Sequence, residues 1–160
     1  MPITYTPIAS TTLTSNQATI TFSSISSAYT DLELVVASSN ATSNSTIFIN
    51  VNNDYGSNYA FTYLNGDGGS ATSGRYQGTL GVIGDHSTVI STNIGKFMNY
   101  SNTNTFKTWL YRGGQAGYVS SSGVNLWRST AAINRIDISA TSNRSFTAGS
   151  TFTLYGIKAA

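Results

Sequence analysis

The chain has 160 residues, with eight Lys or Arg against six Asp or Glu and no cysteine. That length suits one domain able to bury about 70% of its unfolded surface. A net charge of +2 carried by scattered cations excludes the basic stripe of a nucleic-acid binder, and no run of about 20 apolar residues exists to span a bilayer.

The first segment, Ile3-Thr4-Tyr5-Thr6, alternates and predicts a strand that Pro7 confines to a sheet edge. Ala18 to Phe22 alternates cleanly, and Asp31 to Ser38 sets Leu32, Leu34 and Val36 on one face with Glu33 opposite. Thr46 to Val51 turns Ile47, Ile49 and Val51 inward, and Tyr59 to Tyr63 resumes the extended pattern after a loop. Asn65-Gly66-Asp67-Gly68-Gly69 is the strongest turn signal, and the loop it opens is expected to reach Gly74. Thr79–Ile83, Val89–Ile94, Lys96–Tyr100 and Phe106–Arg112 follow as short strands, then a weaker one over Tyr118–Leu126. Ser129 to Ala132 offers at most one helical turn. In the last third Ile136 and Ile138 alternate with Asp137 and Ser139, and after a polar segment from Thr141 to Ser150, Phe152 and Leu154 alternate with Thr151 and Thr153. Parity slips at Gly156, which predicts a bulge there or cover on both faces.

About ten short strands joined by polar turns, with no helical crossover, imply an all-β antiparallel sandwich of jelly-roll type. No composition shift or linker divides the chain, so residues 1–160 read as one domain. Ser, Thr and Asn account for 62 of the 160 residues and charged residues for only 14. Such a surface hydrogen-bonds without long-range repulsion and suits packing against neighbours or a hydroxyl-rich ligand. The N-terminus lacks the basic-then-apolar pattern of a secretion signal.

Catalytic signals are weak. Asp85-His86-Ser87 contains triad residue types, yet neighbours on an extended chain point to opposite faces, and a turn beside Gly84 explains them. Asp31 and Glu33 share a strand face, and the same pair serves equally as an edge-strand solubility device. The oxygen-rich loops around Asp54 and Asp67 each hold one carboxylate, too few for a calcium loop. The expectation is therefore no enzyme, no cofactor and no metal. The aromatic excess is more informative. Trp109, Tyr111 and Trp127 are candidates for an exposed interface, since flat apolar rings with polar handles serve sugar stacking and protein contacts alike.

Three phrases carry a resemblance: TYTPIASTTL (4–13), ITFSSISSAYTDLELVV (20–36) and SFTAGSTFTLYGIKA (145–159). They resemble small virion structural proteins of tailed bacteriophages, including those of cyanobacteria and marine bacteria. The likeness spans both ends of the chain and carries over no functional residue. It implies a jelly-roll-like sandwich that oligomerises on a phage particle. The leading expectation is a head decoration or cement protein, a homotrimer bound to the major capsid protein, with Ile3, Tyr5 and Ile8 as a contacting arm. The alternatives are a tail-fibre or receptor-binding module recognising host carbohydrate, and a free-standing lectin-like domain. The expected location is the phage particle, assembled in the host cytoplasm.

Overall fold

Thr, Val, Ile, Tyr and Phe dominate the alternating stretches, and their branched or planar side chains pack well on a pleated surface. The computed structural model describes residues 5–141 and 144–158. It contains twelve strands and, among the described residues, no helix. The strands are β1 (Tyr5–Thr12), β2 (Thr19–Phe22), β3 (Asp31–Ser38), β4 (Ser45–Val51), β5 (Tyr59–Gly66) and β6 (Ala71–Gly78), followed by β7 (Gly81–His86), β8 (Ser91–Met98), β9 (Lys107–Gln115), β10 (Val119–Trp127), β11 (Ile136–Ala140) and β12 (Thr151–Ile157).

They form an eight-stranded sheet, β1-β12-β3-β8-β9-β10-β5-β6, and a four-stranded sheet, β2-β11-β4-β7. All pairings are antiparallel. Without β5, β6, β9 and β10, the remaining eight strands pair first with last, β1 with β12, β2 with β11, β3 with β8 and β4 with β7. That is one long ribbon folded over itself, the jelly-roll topology. The other four strands are two inserted hairpins. Both join the larger sheet, which therefore runs four strands past the framework that faces the smaller one.

The core lies between the sheets. Leu32, Leu34 and Val36 of β3 and Phe152 and Leu154 of β12 meet Ile47, Ile49 and Val51 of β4 and Ile136 and Ile138 of β11, all fully buried. Each such aliphatic side chain stabilises the fold by about 1.5–3 kcal/mol relative to exposure.

The larger sheet also seals the free edge of β7. Asn125 of β10 accepts from Val82 N at 2.8 Å and donates to Val82 O at 3.0 Å. Trp109 Nε1 donates to the same carbonyl at 3.0 Å, and Asn93 Nδ2 donates to Asp85 O at 3.0 Å. Side chains thus fill the backbone sites that another strand would take. This close approach depends on Gly81, where a Cβ would run into the Trp109 ring, and on Gly84, whose φ of 137° accompanies the register shift between β4 and β7.

Several local expectations are corrected. The segment after Gly69 is strand rather than loop: the turn closes at Ser70 and β6 pairs with β5 along its whole length. Val89 to Tyr100 gives one strand, β8, which pairs without a break to both β3 and β9, and Gly95 within it makes room for the Ile83 side chain. The bulge lies not at Gly156, which pairs with Thr6, but on β1 at Ile8, the extra residue between the Pro7–Tyr155 and Ala9–Leu154 pairs. Gly156 itself leaves space that the Tyr29 ring fills. Ser129 to Ala132 is not helical, and Ser129 N instead closes a short turn onto Trp127 O.

Candidate functional site

Two regions combine exposed apolar surface with polar groups, and both arise where the larger sheet outgrows the smaller. The first is its outward face. One cross-strand row reads Pro7, Tyr155, Glu33, Lys96, Leu110, Val124, Thr62 and Arg75, strand by strand. The next row contributes Val35, Ile94, Arg112, Ser122 and Leu64. Leu110, Val124 and Leu64 are 54%, 43% and 58% exposed, and with Ile94 they line an open depression of about 760 Å³. Glu33, Lys96 and Arg112 border it. The centre is apolar and the edge charged, the layout of a protein-contact patch.

The second region is a cleft of about 530 Å³ on the opposite side of the same sheet. One wall is the inward face of the β5–β6 hairpin, with Phe61, Tyr63 and Tyr76. The other is formed by Thr46 and Phe48 of β4 with Val82 and Asp85 of β7, and Tyr111 also lines the cleft. Phe61 lies 5.2 Å from Tyr76 and 6.1 Å from Tyr63, ring centre to ring centre. Asp85 is 8% exposed, and Thr46 Oγ1 donates to it at 2.9 Å. Burial pushes the Asp85 carboxyl above its ordinary range, against the opposing pull of the Thr46 and Ser121 hydroxyls. Among the described residues no cation pairs with it.

The exposed-interface reading of Trp109, Tyr111 and Trp127 is corrected, because all three are buried. On β9 it is Lys107, Trp109 and Tyr111 that face inward, leaving Leu110 outside. Area decides the side. Trp109 stacks on Phe97 at 5.1 Å and meets Tyr59 edge-on at 6.4 Å, filling volume that the aliphatic core does not reach. Lys107 tolerates the inward side because its ammonium turns to the carbonyls of Thr105 and Thr130, at 2.7 and 3.0 Å. Trp127 satisfies its indole N–H on Asp54 Oδ2 at 2.7 Å, and Tyr111 packs its ring against Gly123.

The expected arm is also revised. Ile3 lies outside the described residues. Tyr5 and Ile8 belong to β1, which pairs with β12 from Tyr5 to Thr12, so this stretch is an edge strand of its own sheet rather than a detached arm. Tyr5 is half exposed and meets Tyr155 edge-on at 6.4 Å, while Ile8 packs partly against the core.

Asp85, His86 and Ser87 do not form a relay, and the turn expected there is the buried end of β7. His86 faces away from Asp85, against Phe146. Asn40 Oδ1 accepts from the Thr42 backbone and hydroxyl, which turns its Nδ2 to donate to His86 Nε2 at 3.4 Å. The other ring nitrogen, Nδ1–H, then donates to Ser38 Oγ at 3.3 Å. The ring is neutral; burial, with a smaller push from Arg144, takes its pKa down to about 4 from 6.5. Because the folded value is the lower one, the unfolded chain binds the proton more readily, and stability falls as pH drops below 6.5. At pH 5 this costs about 2 kcal/mol relative to pH 8. Asp85 acts in the opposite sense, since its raised pKa relieves a penalty on acidification. Urea unfolding at the two pH values should therefore show His86→Asn losing the acid-sensitive component; an unchanged difference between pH 8 and pH 5 would refute the assignment.

Asp31, Asp54 and Asp67 serve local structure. Asp31 accepts from Asn99 N at 2.9 Å and lies 3.9 Å from Lys96. Asp54 is held by Trp127, Asn58 and Gly56, and Asp67 by Gly69 and Ser70. Among the described residues no three His, Cys, Asp or Glu side chains converge on a metal-sized space. No protein-family model matches the chain, and no curated protein matches it either.

Proposed function

We propose that the chain is a structural protein of a bacteriophage particle, acting by binding alone as a decoration of the head. The sequence phrases at both ends support the phage context. The observation that carries the binding role is the outward face of the eight-stranded sheet, where Ile94, Leu110, Val124 and Leu64 leave an apolar depression inside a border of Glu33, Lys96 and Arg112. A jelly-roll framework needs no such extension to be stable. The two inserted hairpins build this broad face, and its partner in this reading is the major capsid protein shell.

The mechanism is mass action. A protein that binds only the assembled shell stabilises that arrangement in proportion to its occupancy. Several copies, in a homotrimer, engage neighbouring shell subunits together, so that weak individual contacts make release rare. The low surface charge permits such packing without like-charge repulsion.

Particles produced without this protein should release DNA at a lower temperature while adsorbing to host cells normally. Particles that keep full thermal stability and lose adsorption would refute the head role and place the chain in host recognition.

A further inference from the structure

The cleft on the inward side of the β5–β6 hairpin has a feature that core packing does not require. Gly74 and Gly78 occupy the same face of β6 as Tyr76, two residues to either side of it. A Cβ at Gly78 would stand 2.5 Å from Tyr76 Cε1, and one at Gly74 would stand 2.7 Å from the Tyr63 hydroxyl. Each tyrosine ring thus lies down over a glycine, presenting a flat surface instead of standing on edge into the core. Tyr76 remains 53% exposed although its neighbour Phe61 is partly buried against the core. Ring faces laid flat and left open form a stacking platform.

Polar groups stand across from it. Asp85, nine-tenths buried and unpaired by any described cation, shares the cleft with Thr46, and Asn65 Oδ1 on the near wall has no hydrogen-bond partner within the protein. Arg75 touches the rim of the cleft, but by register it belongs with Thr62 to the outward row, so among the described lining residues Asp85 is the charged group on the cleft side. A volume of about 530 Å³ lies in the range of small-molecule sites, which combine apolar walls with a few converging polar groups.

We propose that this cleft binds a neutral oligosaccharide, one sugar ring stacked on Tyr76 and its hydroxyls hydrogen-bonded to Asp85 and Asn65. A pyranose offers a flat C–H face to the ring and hydroxyls at its rim, matching both walls. No described cation pairs with Asp85, so an anionic sugar gains nothing from charge and meets Asp85 as a like charge. A nucleotide is disfavoured in the same way, because its phosphates need a cluster of cations. This site is independent of the head role, because it lies on the opposite face of the sheet from the depression.

The test is calorimetric titration of the purified full chain with cellohexaose, maltohexaose, mannohexaose and chitohexaose, with hexagalacturonate and decaproline as comparison ligands. At least one neutral hexaose should bind with a dissociation constant of millimolar or tighter, and hexagalacturonate should not. Tyr76→Ala should weaken binding by about tenfold or more. Gly78→Val, which lifts the ring while keeping it, should do the same. Both positions lie on an exposed hairpin, so unchanged circular dichroism separates lost binding from lost folding. No binding by any neutral hexaose at about 10 mM would overturn the proposal. So would binding indifferent to Tyr76→Ala, or Tyr76-dependent capture of decaproline in place of the sugars.

Discussion

Replacing Trp109 by alanine should lower the unfolding free energy by about 3–5 kcal/mol, the usual cost of deleting a buried aromatic side chain. Three losses coincide at this position. The stack on Phe97 and the edge contact with Tyr59 disappear, leaving a void between the sheets. Val82 O loses one of its two donors, so that carbonyl depends on Asn125 alone. The indole also covers Gly81, whose small size exists to admit it. With marginal stabilities of 5–15 kcal/mol typical of single domains, the variant should sit close to the folding threshold at 37 °C. Urea denaturation measures the effect directly. A loss under about 1 kcal/mol would mean that Trp109 is not a core residue and that the outward assignment of Leu110 is wrong.

The second large effect concerns the outward face. Introducing Leu110→Glu together with Val124→Glu should reduce binding to DNA-free phage heads by about a hundredfold or more, because two adjacent apolar contacts are replaced by charges that must be desolvated. Leu110 and Val124 are directly opposite each other on β9 and β10, and both are about half exposed, so folding should survive the change. Co-sedimentation of the labelled chain with the heads gives the comparison. Equal binding by the double variant and the unaltered chain would remove the outward face from the proposed function.

Most framework strands were legible in the sequence because large apolar residues alternate along them with polar or small ones. Asp31–Ser38 and its partner around Phe152 and Leu154 show this best, and their register follows from the hydrophobic face alone. The inserted hairpins were harder to read. Ala71 to Gly78 contains no aliphatic residue larger than alanine, so β6 has no apolar face, and its Gly and Ser content is that of a loop. Its order comes from pairing with β5, a tertiary contact that leaves no local signature. The one clue was Gly74-Arg75-Tyr76-Gln77-Gly78, glycines alternating around a tyrosine, and it acquires meaning only once the segment is extended.

The aromatic residues were misplaced for a related reason. On β9 both parities carry bulky apolar side chains, Leu110 on one and Trp109 and Tyr111 on the other, so alternation alone does not choose the inward face. The larger rings go inward because the eight-stranded sheet outgrows its partner and leaves volume that aliphatic side chains cannot fill. Nothing in the local sequence around Trp109 announces that mismatch in sheet width. His86 illustrates the same limit, since its partners Ser38, Asn40 and Phe146 come from three distant segments.

We propose above that this jelly roll resides on the head of a phage particle. Gold-labelled antibody against the chain, applied to intact particles and imaged in negative stain, tests it most directly. Gold distributed over the head surface is the expected result, and gold confined to the tail or absent from the particles would contradict it.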